Sequence, residues 1–249
     1  MLAITNNLII GIKEYFENTN GKKAVIGISG GKDSTVASAL CVKALGKENV
    51  IGVLMPNGEQ KDIEDSKHIC DFLGIENYTI NIKDAFFGVL SKLTLAGFKN
   101  GEFSKQSMIN LAPRIRMAVL YTVAQSLESG RVINTTNACE SFVGYGTLFG
   151  DTVGDFAIFK NTTVSQVYKI GDDLGLPYNL VHKTPSDGLT GKSDEEVLGV
   201  SYDDIENYMV YDGITVVDTE TAKKFNIIKQ LHEKSQFKRD IINLPSVII

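Results

Sequence analysis

The stretch Ala24-Val25-Ile26-Gly27-Ile28-Ser29-Gly30-Gly31-Lys32-Asp33-Ser34 decides the fold. It starts with an apolar run typical of a buried strand, and a helical pattern begins directly after it. Two adjacent glycines let the backbone turn sharply and approach a ligand closely. The helix start offers unpaired N–H groups and the positive end of the helix dipole. The stretch therefore predicts a strand, a phosphate-binding loop and a helix.

Two familiar glycine-rich motifs do not fit this loop. The Walker A pattern needs a glycine five residues before Gly31 and a Ser or Thr after the lysine, but Ile26 and Asp33 stand there. The dinucleotide fingerprint G-x-G-x-x-G fails because Gly27, Gly30 and Gly31 have the wrong intervals.

The loop resembles the S-G-G-x-D-S signature of the ATP pyrophosphatases, which cleave ATP between the α- and β-phosphates and hold the pyrophosphate here. Every fixed position matches. The alternative is a Gly-Gly turn that merely joins a strand to a helix. Likewise, Asp33 is either an ordinary acidic residue at a helix start or, beside phosphates, a Mg²⁺ ligand.

Composition indicates one α/β domain over residues 1–249. The chain has 43% apolar residues, 25 basic and 30 acidic residues and a net charge of −5, which disfavours a nucleic-acid surface. The cysteines Cys41, Cys70 and Cys139 form no C-x-x-C pair, which favours buried free thiols in a reducing compartment. We found neither a signal peptide nor an apolar run long enough for a membrane span, so we expect a cytoplasmic protein.

Hydrophobic periodicity predicts alternating helices and strands, and hence a Rossmann-like open parallel sheet with helices on both faces. The predicted strands are 24–28, 50–55, 78–82 and one entered at 132–133. An apolar stripe from Ile4 to Phe16 predicts the first helix, and a second helix follows Ser34. Further helices are predicted at 61–73, 113–127, 163–174, 194–210 and 218–235.

Ligands of open parallel sheets bind beyond the carboxyl ends of the strands, where this chain places polar residues. After the second strand, the turn from Met55 to Gly58 faces an adenine ring or is a plain turn. After the fourth, residues 134–140 bring hydroxyls, amides and Glu140 to one strand exit. We expect Glu140 to meet Asp33 across a shared metal.

A helix opened by Pro113 would carry Arg114 and Arg116 in its first turn, where the helix dipole disfavours cations. Residues two apart point to different faces, so we expect one arginine to reach a substrate phosphate and the other to pair with an acidic residue. Solvated surface arginines are the alternative.

Linked segments of the chain resemble ammonia-dependent NAD synthetases, in the family's order and over nearly the whole chain. The segments are Asn110 to Met117, Thr135 to Glu140, Gly144 to Asp151, Lys183 to Ser186 and Ser193 to Gly199. The resemblance implies an adenine nucleotide alpha hydrolase-like fold and a reaction in which ATP adenylates the nicotinate carboxylate of deamido-NAD. Pyrophosphate leaves, and ammonia then displaces AMP to give NAD.

The resemblance also implies roles for individual residues. ATP and pyrophosphate would be bound by Ser29, Gly30, Gly31, Lys32, Asp33, Ser34, Met55, Thr135 and Ser186. Deamido-NAD would be bound by Arg114, Tyr145, Thr147, Lys183 and Asp151. Asp33 and Glu140 would hold Mg²⁺. Asp151 would meet the incoming ammonia as a proton acceptor or ammonium site, unless it only holds the Gly150 turn.

Some positions depart from the family pattern. Asn134 stands where a glycine is common, Ile158 where a proline is common, and Val164 where many members carry a lysine, which puts one phosphate contact in doubt. Lys160 or Lys183 is a substitute for that charge. Ser193 with Glu196 is first a helix capping box, and only the resemblance implies that it is part of an active-site lid.

Other classes fit less well. Transfer-RNA-thiolating or lysidine-forming relatives should bring a basic surface or paired cysteines, and GMP or asparagine synthetases a glutaminase domain. A non-enzymatic nucleotide-binding regulator has no need for Asp33 and Glu140. The N-terminal apolar stripe and the tail Val247-Ile248-Ile249, together with the resemblance, predict a homodimer. None of the cysteines suits glutamine hydrolysis, so we expect ammonia to be the nitrogen donor.

Overall fold

A parallel sheet forms the centre of the computed structural model, which describes residues 1–60, 63–182, 193–211, 213–215 and 218–241. Five strands lie in the order β3-β2-β1-β4-β5, and all neighbours run parallel. The strands are β1 Lys23–Gly27, β2 Val50–Leu54, β3 Glu76–Thr79, β4 Gly130–Asn134 and β5 Phe156–Ala157.

Helices cover both faces of the sheet, which confirms the predicted fold class. They are α1 Ala3–Asn18, α2 Lys32–Leu45, α3 Ile63–Leu73, α4 Lys83–Leu95, α5 Lys105–Ser126, α6 Ala138–Val143, α7 Val164–Asp173, α8 Tyr178–Val181, α9 Asp194–Leu198, α10 Tyr202–Met209, α11 Thr219–Lys234 and α12 Gln236–Ile241. One core lies under α1, α2 and α7, a second under α4 and α5, and a third joins α6, α10 and α11.

The order of strands fixes where a ligand can bind. From β1 the chain proceeds to β2 and β3 on one side, then crosses to β4 and β5 on the other. The loops after β1 and β4 therefore diverge to opposite faces and leave a crevice at the carboxyl edge. The residues singled out after these two strands meet at this crevice.

Several predicted elements differ from those observed. The third strand spans Glu76–Thr79 rather than 78–82, and the helix predicted over 194–210 is α9 and α10, separated at Gly199 with φ +75°. Such a left-handed conformation suits glycine and ends a helix. The sequence patterns missed α4, α6, α8, α12 and β5. Residues 61 and 62 of the predicted 61–73 helix lie outside the described residues.

The prediction that Pro113 opens a helix is wrong. Helix α5 begins at Lys105, where Ser104 caps it by accepting a hydrogen bond from the Ser107 N–H at 3.1 Å. Pro113 lies inside the helix and packs closely against Gly150. A Cβ added to Gly150 would lie 2.9 Å from the Pro113 Cβ. The dipole argument for Arg114 and Arg116 fails, because the dipole acts within the first and last turns.

The N-terminal stripe does not supply free apolar surface. Leu8, Ile12 and Phe16 are buried in the core against α2 and the sheet, so this part of the homodimer argument is wrong. The tail at 247–249 lies outside the described residues. No helix in the described ranges is long and apolar enough to cross a membrane.

Candidate active site

The loop after β1, residues 29–34, is shaped by hydrogen bonds within itself, and we call it the phosphate loop. The Ser29 Oγ accepts from the Gly31 N–H at 3.2 Å, and the Ser34 Oγ lies 3.1 Å from the Ser29 Oγ. Gly30 adopts φ +82°, a conformation that favours glycine. The start of α2, immediately after Gly31, faces the crevice with its dipole, as an anion site requires.

Lys32 and Asp33 begin α2 as a contacting pair. The Lys32 Nζ lies 3.0 Å from the Asp33 Oδ2, and the lysine side chain is only 3% exposed. Its ammonium also lies over the rings of Tyr168 and Tyr202, at 5.8 and 5.2 Å from their centroids. Burial lowers the pKa of Lys32, but Asp33 and Glu140 offset this and raise it above its ordinary value.

Glu140 approaches the phosphate loop from the first turn of α6. Asn137 caps this helix: its Oδ1 accepts from the Glu140 N–H at 3.0 Å, and the Glu140 Oε2 accepts from the Asn137 N–H at 3.1 Å. The Asn137 Nδ2 also donates to the Asp33 Oδ1 at 3.3 Å. Burial and the neighbouring Asp33 raise the pKa of Glu140. The structure thus brings together the two carboxylates that the sequence predicted to share a site.

Residues 144–151, which we call the tyrosine loop, form the other wall of the crevice. The Tyr145 hydroxyl donates to the Asp194 Oδ1 at 2.9 Å, and the Thr147 Oγ1 to the Asn110 Oδ1 at 3.0 Å. The Asp151 Oδ1 accepts from the Thr147 N–H at 2.6 Å. This bond is the one expected if Asp151 holds the turn at Gly150. Asp151 is nevertheless exposed.

Asn134, which replaces a glycine common in the family, connects the tyrosine loop to β4. Its Nδ2 donates to the carbonyls of Asp151 and Val153 at 2.8 and 3.1 Å, and its Oδ1 accepts from the Thr136 N–H. Thr135 is half-buried directly after the strand. Asn134 therefore adds hydrogen bonds between β4 and the tyrosine loop that a glycine side chain could not make.

Sequence reasoning missed a pair of cations on α12, Lys238 and Arg239, which we call the C-terminal clamp. The Lys238 Nζ donates to the carbonyls of Gly144 and Gly146, both at 2.7 Å. The Arg239 Nη1 donates to the Phe142 carbonyl at 2.9 Å. The clamp lies at the end of the chain, with no motif to link it to the site. A short Lys-Arg pair was the only available signal.

A cavity lies between α6, the tyrosine loop and the C-terminal clamp. Its lining includes Glu140, Thr136, Tyr145, Lys160 and Lys238. Val164 stands where many family members carry a lysine, and valine has no charge to offer. It is 3% exposed and packs in a core with Cys139 and Val143. Lys160 thus lies beside the predicted site, whereas Lys183 and Ser186 fall outside the described residues.

The arginines of α5 have different surroundings. Arg114 is exposed, and its Nε donates to the Leu148 carbonyl of the tyrosine loop at 3.2 Å. Arg116 is half-buried, and its Nε donates to the Met55 carbonyl at 3.0 Å. The Met55 side chain, 8% exposed, belongs to the core under α5. Only the backbone of Met55 is therefore near the crevice edge.

The cysteines are free and buried, as predicted. Burial raises the pKa of Cys70 to about 11 and that of Cys139 to about 12, and it raises that of Cys41 further above its usual range. Cys139 lies in α6 rather than in a turn, with its Sγ 3.8 Å from the Glu206 Oε1. A buried, protonated thiol is a poor nucleophile.

A phosphate loop at the switch point of a parallel sheet, facing paired carboxylates, defines an adenine nucleotide alpha hydrolase-like α/β enzyme. Among the residues that the structure describes, no group of three or more His, Cys, Asp or Glu side chains is arranged to hold a metal.

The capping box of Ser193 with Glu196 is observed at the start of α9.

The chain belongs to the NAD synthase family, whose profile matches residues 4–242. It is 35% identical to the NH3-dependent NAD+ synthetase of Pyrococcus furiosus over 96% of this chain and 94% of that protein. The family's enzymes are ligases that form a carbon–nitrogen bond, and this chain is a member of that class.

Solved structures show the same fold. The NMN synthetase of Francisella tularensis has a TM-score of 0.83 and 33% identity, covering 97% of both chains. The NH3-dependent NAD synthetase of Campylobacter jejuni has a TM-score of 0.75 and 26% identity, covering 99% of this chain and 97% of the other.

Proposed function

We propose that this protein adenylates the nicotinate carboxylate of deamido-NAD with ATP, releases pyrophosphate, and lets ammonia displace AMP to give NAD. The observation that carries the proposal is the meeting of the phosphate loop and α6 at the switch point, where Asn137 bonds Asp33 and caps Glu140. It is the site that this family's reaction needs, because attack of a carboxylate oxygen on the α-phosphorus brings anions together.

In the first step, a carboxylate oxygen bonds to the α-phosphorus while the bond from that phosphorus to the pyrophosphate oxygen breaks. The N–H groups of residues 29–34 and the α2 dipole stabilise the departing charge. Lys32 supplies the nearest positive charge to Asp33. Ser186 and Thr135 remain predicted contacts to ATP.

Asp33 and Glu140 fit a magnesium ion by their chemistry. They offer hard carboxylate oxygens, and Asn137 bonds to both side chains in the crevice. Asp33 and Glu140 would hold the Mg²⁺, which would neutralise charge on the phosphates. The matching experiment is titration of pyrophosphate release with Mg²⁺.

The acid substrate would bind against the tyrosine loop. Tyr145 and the exposed Arg114 offer an aromatic face and a cation. Lys183 remains a predicted contact, as does Thr147, which is buried and donates its hydroxyl to Asn110. In the second step ammonia attacks the acyl carbon, the bond to the AMP oxygen breaks, and a proton is lost. Asp151 is the proposed acceptor of that proton, because it is exposed at this wall.

Ammonia is the proposed nitrogen donor, because the cysteines are buried and protonated. We expect NAD to form with deamido-NAD, MgATP and ammonium but not with glutamine at the same concentration. The rate should rise between about pH 7 and 9, because only unprotonated ammonia has a free lone pair. The measurement is NAD formation with each donor after contaminating ammonium is removed. Efficient glutamine use by this polypeptide alone would contradict the assignment.

A second candidate is the amidation of the mononucleotide acid to give NMN. It is favoured by the higher similarity to the NMN synthetase of Francisella tularensis, with a TM-score of 0.83 against 0.75 for the Campylobacter jejuni enzyme. Parallel assays with deamido-NAD and nicotinate mononucleotide decide between them. A clearly higher kcat/KM for the mononucleotide would replace the first assignment.

We further propose a single-domain, cytoplasmic homodimer. One apolar surface that could meet a partner is on α4 and the turn after it, where Phe87, Leu95 and Phe98 are 55%, 79% and 48% exposed. Light scattering at micromolar concentration tests the assembly. A mass of 27.2 kDa under those conditions would contradict the dimer.

A further inference from the structure

Lys32 has an unusual position for a lysine. It lies in the first turn of α2, where the helix dipole disfavours a cation, and it is only 4% exposed. Lysines are almost never fully buried unless they are paired. The S-G-G-x-D-S signature leaves this position open, so the signature itself does not call for a charge here.

The surroundings of the Lys32 ammonium supply that pairing. The Asp33 Oδ2 lies 3.0 Å away, and Glu140 is the other carboxylate that acts on it. The faces of Tyr168 and Tyr202 enclose it at 5.8 and 5.2 Å. The ammonium is thus held in one place against Asp33, and Glu140 is near enough to act on its charge.

We propose that Lys32 is a built-in counter-ion that holds Asp33 and Glu140 together in the nucleotide-free enzyme and weakens divalent-cation binding until nucleotide arrives. The inference rests on the proposed metal site. A fixed cation beside two carboxylates satisfies part of their charge and repels a second cation. The phosphates of ATP add negative charge and oxygen ligands, so metal and nucleotide bind together.

Variants of Lys32 test this inference by metal binding rather than by turnover. Lys32→Gln and Lys32→Met remove the charge, Lys32→Arg keeps it, and Lys43→Gln is a control on an exposed lysine of the same helix. Free Mn²⁺ is measured by electron paramagnetic resonance without nucleotide. We expect Lys32→Gln to bind Mn²⁺ about tenfold more tightly than the unmodified protein. Lys32→Arg should stay within a few-fold of the unmodified protein, and Lys43→Gln should match it.

Thermal unfolding keeps the test informative if the charge-removing variants are unstable. Without Lys32 the carboxylates are left unpaired, so the unfolding temperature should fall. Added Mn²⁺ should raise the unfolding temperature of Lys32→Met more than that of the unmodified protein. Folded Lys32→Gln or Lys32→Met with unchanged or weaker Mn²⁺ binding and no added stabilisation by Mn²⁺ would overturn the inference.

A second substitution separates this failure from failure of the metal site. Adding Glu140→Gln to Lys32→Gln should abolish the gain in Mn²⁺ affinity. If the gain persists, Mn²⁺ binds elsewhere, and both the inference and the proposed metal site are wrong. If the unmodified protein binds Mn²⁺ through Glu140 and the Lys32 variants bind it no better, only the counter-ion role is wrong.

Discussion

The phosphate loop and the tyrosine loop face the same crevice but are held in different ways. The Ser29 and Ser34 bonds that shape the phosphate loop span at most five residues of sequence. The tyrosine loop has a local bond from the Thr147 N–H to the Asp151 Oδ1, but it is also held by Lys238, whose bonds to Gly144 and Gly146 span 94 and 92 residues. A local loop keeps its shape wherever its strand and helix form, whereas the second depends on the docking of the C-terminal helices.

The largest expected effect concerns Asp33 in the phosphate loop and Glu140, which faces it from α6. Asp33→Asn and Glu140→Gln should each lower pyrophosphate release by at least about 10²-fold, because each removes charge stabilisation. Stopped assays of pyrophosphate with candidate acids and Mg²⁺ measure this. Glu48→Gln is a control on an exposed carboxylate at the opposite edge of the sheet. Near-normal turnover with normal Mg²⁺ dependence would remove these residues from the assignment.

Gly144→Ala tests how tightly the tyrosine loop and the C-terminal helices are packed. Gly144 adopts φ +69°, and an added Cβ would lie 2.0 Å from the Ser235 Cβ. We expect a loss of about 1–3 kcal/mol in the free energy of unfolding, measured with urea. Gly175→Ala is the matched control, because its φ is +71° but nothing lies within 4 Å of its Cβ position. Equal losses in both variants would attribute the effect to backbone strain alone.

Lys238→Met tests whether the C-terminal clamp positions the tyrosine loop. Loss of both bonds to the loop carbonyls should raise the KM for the acid substrate about tenfold. The KM for ATP should change little, because the phosphate loop does not depend on the clamp. Lys238→Arg should restore part of the loss, and exposed Lys234→Met is the control. An equal rise in both KM values would mean that the two loops are not independent.

The smallest expected effect is that of Arg114→Ala. Arg114 is exposed and donates to the Leu148 carbonyl, so its removal should mainly raise the KM for the acid substrate, by about two- to fivefold. Steady-state kinetics with varied acid substrate measure it. A lower kcat at unchanged KM would instead indicate contact with the transition state.

The sequence predicted the stretch that decides the fold correctly because the features of that stretch are local. The run from Ala24 to Ser34 identified β1, the loop and α2, because strand pattern, glycines and helix start are neighbours along the chain. The sequence prediction was wrong at Pro113, which lies inside α5 and packs on Gly150 instead of opening the helix. A proline at the first turn is the commoner case, and the sequence does not reveal this exception.

By itself the sequence determined the sheet class and the order of strand, loop and helix at residues 24–34, and it predicted that Asp33 and Glu140 share a site. Only the tertiary structure decided that Asn137 bonds to both carboxylates and that Lys32 is buried against Asp33. It also placed the clamp of α12 on the tyrosine loop. The physical reason is that backbone patterns act over a few residues, whereas the pairing of buried charges depends on which distant elements pack together.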